Sequence, residues 1–127
     1  MAAKCSVIGI GTDIGGSIRL PAAFSGSYSY KPSTRRMCIS GMRVLHVAWE
    51  GNMNLVVTNG PMGRCVNDLS TMMKVLLKEE VYKQAPLEAK DIYFNPRSWD
   101  EKLYENKPKL RIGFFKSLRI TPASEAN

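Results

Sequence analysis

The residues with the most chemistry in this chain lie in one stretch, Gly9-Ile10-Gly11-Thr12-Asp13-Ile14-Gly15-Gly16-Ser17-Ile18-Arg19. Glycines free the backbone to adopt positive φ and leave N–H groups that no Cβ shields. Ser17 follows directly on Gly15-Gly16. A serine hydroxyl beside adjacent exposed N–H groups is what acyl transfer requires: a nucleophile, and donors for the oxyanion that forms when it attacks.

Such a serine also needs a base. His46 is the sole histidine and sits in the apolar run Val44-Leu45-His46-Val47-Ala48-Trp49, the setting of a core or turn residue. Gly-x-Ser-x-Gly is absent, because Arg19 stands two residues after Ser17. A lysine neutralised by burial is the alternative base. Lys4 and Lys31 are available, and neither has a spacing that argues for the role. Glycine-rich loops before helices also cradle phosphate. Here the Gly-Lys-Ser/Thr ending is missing and Asp13 would repel the anion.

The elements that must position this loop follow from patterning. Ser6–Ile10 reads as a short buried strand cut by glycine. Residues 17–24 read as a short helix with Ser17 at its N-terminal end, where the helix favours developing negative charge, and with Pro21 in the first turn. Ser27–Tyr30 alternates small polar and aromatic residues as a strand does. Residues 44–49 are expected as a strand or extended core segment and 55–58 as another short strand, stopped by Asn59-Gly60-Pro61. Over 65–80, Val66, Leu69, Met72, Met73, Leu76 and Leu77 recur at helical spacing, which predicts an amphipathic helix needing a partner surface. Residues 84–108 form a proline- and aromatic-bearing connection with one short helical turn, and 109–115 a final strand.

The signature from Gly9 through Phe24, with Gly26 and Lys31-Pro32 after it, resembles the amidase signature. That family includes fatty-acid amide hydrolases, bacterial amidases and the glutaminyl amidotransferases. Gly60-Pro61-Met62-Gly63-Arg64 resembles the family's Gly-Pro-Met-Ala-Arg turn, and Lys109-Leu110-Arg111-Ile112-Gly113 its following strand. The matches are collinear over most of the chain, and the connection before the last of them is most similar to the fatty-acid amide hydrolase branch. The resemblance implies an α/β fold, a mixed sheet flanked by helices, of which 1–127 is a partial domain with 1–32 the nucleophile segment and 60–80 the amphipathic helix. It implies Ser17 as the acyl-ester nucleophile and the N–H groups of Ile14, Gly15, Gly16 and Ser17 as the oxyanion hole. Asp13 and Arg19 then brace the loop. The implied substrate is a small-molecule amide, of fatty-acid type, with no cofactor and no metal.

The family uses a Ser–cis-Ser–Lys triad whose lysine and bridging serine lie upstream of the signature, and no matching segment precedes Gly9 here. The expectation is an internal fragment or truncated gene product that lacks amide turnover by itself. The alternative is a non-catalytic binding remnant.

The 127 residues bound the chain at one ordinary domain, and 44% hydrophobic with 23% charged residues are globular values. The net charge of +7 is concentrated early, where Lys4, Arg19, Lys31, Arg35, Arg36 and Arg43 face Asp13 alone. No aromatic–basic motif accompanies it, so nucleic acid is not an expected partner. Cys5, Cys38 and Cys65 are too dispersed for a zinc site and read as small buried hydrophobes of a reducing compartment. An intracellular location is expected, with peripheral membrane association of a full-length parent.

Overall fold

The computed structural model describes residues 1, 3–38, 57–83, 97–105, 109 and 111–114. Along the chain these form β1 (Gly9–Asp13), α1 (Arg19–Ser25), β2 (Tyr28–Ser29), β3 (Thr58–Gly63), α2 (Val66–Leu76), α3 (Glu79–Lys83) and one 3-10 turn (Glu101–Tyr104). The α/β expectation holds. The sheet has the order β1-β3-β2, and both described ladders are antiparallel.

β1 starts three residues later than the pattern of Ser6–Ile10 suggested and runs through Gly9 and Gly11 to Asp13. Its partner explains the shift. Gly11 faces Gly60 across the β1–β3 ladder and Ile10 faces Pro61. The Asn59-Gly60-Pro61 triplet, expected to stop a strand, is the middle of the central strand. Proline survives there because its carbonyl accepts the Tyr30 N–H at 3.0 Å, while its missing N–H falls on the same edge, where β2 has ended. A Cβ at Gly60 would overlap the Tyr30 carbonyl oxygen and crowd Pro32 Cδ at 2.9 Å. β3 can therefore pass this close to the segment that follows β2 only through glycine.

α2 is the amphipathic helix the spacing predicts, shortened to Val66–Leu76, with α3 following as a separate piece. Its buried residues are Leu69 and Met73, and Leu77 is buried just beyond its end. Met72 and Leu76 are half-buried and Val66 is exposed, so the stripe is narrower than the pattern implied. Met73, Leu77 and Met37 form one core cluster, with Leu76 and Trp99 packed against it. Lys74 ties the same region to the 3-10 turn, 2.9 Å from Glu101 and 5.9 Å from the centre of the Trp99 ring.

That turn lies inside the expected connection at 84–108 and is capped by Asp100, which accepts the Lys102 N–H at 2.9 Å. Of the expected strand 109–115, residues 111–114 are described as exposed, with no ladder partner among the described residues. The expected strand at 44–49, with His46, and the residues Leu55 and Val56 lie outside the described residues. Cys5 and Cys65 are exposed and Cys38 half-buried, a correction to their reading as core residues; Cys65 occupies the N-cap position of α2 without a side-chain capping bond.

Candidate active site

β1 delivers Asp13 fully buried at its last position. The chain then reverses through Ile14–Ile18 into α1. The reversal needs Gly16, whose φ is +126°, and a Cβ there would stand 2.9 Å from Leu20 Cδ1. Leu20 N–H closes the turn onto the Gly16 carbonyl at 2.8 Å. Ile18, also fully buried, is seated over Gly11: its Cγ1 lies 3.1 Å from where a Gly11 Cβ would be.

Asp13 organises everything between. Its Oδ1 accepts the Gly16 N–H at 2.7 Å and Arg19 Nη2 at 3.1 Å. Its Oδ2 accepts Arg19 Nε at 3.0 Å and the N–H groups of Ile18 and Arg19 at 3.2 and 3.3 Å. The Arg19 guanidinium holds this carboxyl far below the usual carboxylate range; burial pushes the other way, and the backbone N–H groups of Gly16, Ile18 and Arg19 add to the lowering. Arg19 is raised in turn, first by the same bond. Expected as braces, Asp13 and Arg19 are seen joined as an ion pair through Nε and Nη2.

Two consequences for Ser17 were not legible in the sequence. A serine just before a helix usually caps it, accepting from the first free N–H groups. Here α1 has no side-chain cap from its own flanking residue, Ile18. Asp13, five residues upstream of Ile18, accepts the Ile18 and Arg19 N–H groups instead. Ser17 is thereby released from capping and lies exposed. Its Oγ makes no hydrogen bond with a described residue. The same arrangement corrects the expectation that the start of α1 would serve charge developing at Ser17, since those N–H groups are already taken.

The four N–H groups named for the oxyanion divide in the same way. Gly16 donates to Asp13. Those of Ile14, Gly15 and Ser17 have no acceptor among the described residues. Gly15 has open space around it: a Cβ at this position would meet nothing within 4 Å. Lys4 is exposed with a φ of 58° and makes no contact with Ser17 among the described bonds. No cluster of three or more His, Cys, Asp or Glu suited to a metal occurs among the described residues. No described helix is long and apolar enough to cross a membrane.

Buried Asp13, joined to the half-exposed Arg19, thus braces a glycine-rich turn that carries the exposed Ser17. The chain belongs to the amidase family, whose family model, described as "Amidase", matches residues 1–127. It is 32% identical over 126 residues to "Fatty-acid amide hydrolase 1" of Sus scrofa, covering 99% of this chain and 20% of that protein. It is 47% identical over 76 residues to "Fatty-acid amide hydrolase 2" of Homo sapiens, covering 60% of this chain and 14% of that one. It is 40% identical over 83 residues to "Acetamidase" of Aspergillus oryzae, covering 65% of this chain and 15% of that protein. A solved structure titled "Fatty acid amide hydrolase" superposes with a TM-score of 0.58 at 32% identity, over 74% of this chain and 15% of that one. The chain thus spans a fifth or less of the length of the two fatty-acid amide hydrolases it matches.

Proposed function

We propose that this chain carries the nucleophile and oxyanion part of an amide hydrolase acting on fatty-acid amides. Ser17 Oγ attacks the amide carbonyl carbon. The resulting oxyanion is received by the N–H groups of Ile14, Gly15 and Ser17, while the Gly16 N–H holds the loop to Asp13. The C–N bond breaks, the amine leaves with a proton, and water then hydrolyses the Ser17 ester to a carboxylate. The reading is supported above all by the exposed Ser17, its Oγ unbonded among the described residues, on a loop braced by buried Asp13 and its partner Arg19, in a chain of the amidase family. The fatty-acid preference draws on the names of the relatives.

Losing one oxyanion donor costs such enzymes about 3–4 kcal/mol of barrier. Activation of the nucleophile matters at least as much. No lysine, histidine or second serine hydrogen-bonds Ser17 Oγ among the described residues, so we propose that the chain alone does not turn over. Steady-state release of ammonia from a long-chain primary fatty-acid amide, and of amine from a short aryl amide, is expected at background for the chain and for Ser17→Ala alike. Robust Ser17-dependent turnover would overturn the inactivity. The nucleophile assignment is tested by placing residues 1–83 in the matching stretch of the Sus scrofa relative. A folded chimera that hydrolyses the fatty-acid amide, and loses this with Ser17→Ala, supports it; a folded but inactive chimera sinks it.

A further inference from the structure

A cleft of about 820 Å³ opens between β2, α2 and the segment 97–100, and none of residues 9–19 lines it. The size lies within the range of small-molecule sites. Leu69 and Met73 of α2 give it apolar walls, and three aromatic residues, Tyr28, Tyr30 and Trp99, also line it. Arg36 and Arg97 bring two guanidinium groups. Arg36 Nη1 is buried and has no hydrogen-bond acceptor among the described residues. A guanidinium nitrogen removed from water without an acceptor is a cost that the fold carries unless something fills the place.

The acids nearby are already engaged. Asp100, the one acid lining the cleft, accepts the Lys102 N–H at 2.9 Å through Oδ1. Glu101 is paired with Lys74 at 2.9 Å. The same lysine sits 5.9 Å from the centre of the Trp99 ring. We propose that this cleft binds an aryl carboxylate, its carboxylate on Arg36 and its ring among Tyr28, Tyr30 and Trp99. A planar carboxylate matches the guanidinium fork, and flat rings suit an aromatic-walled slot. The proposal is independent of the role given to Ser17.

Calorimetric titration with 2-naphthoate, 2-naphthamide and sulfate tests it on the full chain. The amide keeps the ring and removes the charge; sulfate keeps the charge and removes the ring. Naphthoate is expected to bind at least roughly tenfold tighter than naphthamide, the factor a charge-assisted hydrogen bond supplies. Arg36→Gln should remove that advantage and leave naphthamide within about twofold. Arg97→Gln, at an exposed residue, should weaken naphthoate by only roughly threefold. Ser17→Ala, outside the cleft, should leave naphthoate binding unaltered. Equal binding of naphthoate and naphthamide would assign the cleft to apolar contact with polypeptide and overturn the proposal. Displacement of naphthoate by equimolar sulfate, or unchanged binding in a folded Arg36→Gln, would do the same. If Arg36→Gln does not fold, the naphthoate-to-naphthamide ratio of the unsubstituted chain decides.

Discussion

Asp13 Oδ2 stands 3.0 Å from Arg19 Nε, and the loop closed by that contact holds Ser17 on its outside. The carboxylate is fully buried while the arginine side chain is 54% exposed. The carboxylate is held first by the Arg19 side chain and then by the three backbone N–H groups it also satisfies, so the loop stays tied to it at several points. This arrangement makes the brace and Ser17 separable by mutation.

Asp13→Asn keeps the shape but turns an amide N–H toward groups that are all donors. It is expected to destabilise the fold by about 2–4 kcal/mol, the cost of leaving buried donors unmet. Ser17→Ala, at an exposed and unbonded hydroxyl, should stay within about 0.5 kcal/mol. Urea unfolding followed by circular dichroism checks both; an equal loss in the two variants would contradict the separation.

The same brace sets a pH dependence. The Asp13 carboxyl is lowered in the folded chain relative to its ordinary 3.8. A lowered carboxyl contributes stability that is complete above the unfolded value and is lost as pH falls toward the folded one. Its contribution should be flat from neutral pH down to about 5 and should decline below about 4. Unfolding midpoints measured from pH 7 to 3 in the chain and in Asp13→Asn should converge as the acid end is approached. A constant gap across that range would show that Asp13 is not the titrating group.

Gly16 and Gly60 are required for different reasons, and substitution should separate them from Gly15. Gly16→Ala meets both a φ of +126° and Leu20, a cost of about 1–3 kcal/mol. Gly60→Ala drives a methyl into the Tyr30 carbonyl, so β2 must leave β3 and the loss should be at least as large. Gly15→Ala meets no neighbour and should cost the least of the three. The order is read from denaturant midpoints.

The 97–104 segment is held to α2 by packing more than by its ion pair. The Lys74–Glu101 pair is 44% and 68% exposed, so Glu101→Gln should cost less than about 1 kcal/mol. Met73→Ala empties the cluster shared with Met37 and Leu77 and should cost about 2–4 kcal/mol. A larger effect at Glu101 than at Met73 would reverse this reading.

The run Gly9–Arg19, with Ser17 at the end of its glycines, was legible because a long motif of fixed spacing leaves little freedom of interpretation. α2 was legible because burial of one face imposes a helical period on Leu69, Met73 and Leu77. The strand limits were not. Gly9, Gly11, Gly60 and Pro61 carry local signals of interruption, yet they pair in β1 and β3, where a Cβ at Gly11 would crowd Ile18 and one at Gly60 would overlap the Tyr30 carbonyl. Local propensity cannot report a partner about fifty residues away. Nor could it show which acceptor the start of α1 would use. The sequence by itself determined the family and the position of the serine. Only the tertiary structure decided that Asp13 takes the Gly16, Ile18 and Arg19 N–H groups, because a buried carboxylate gathers every donor within reach, and Ser17 is left exposed for that reason.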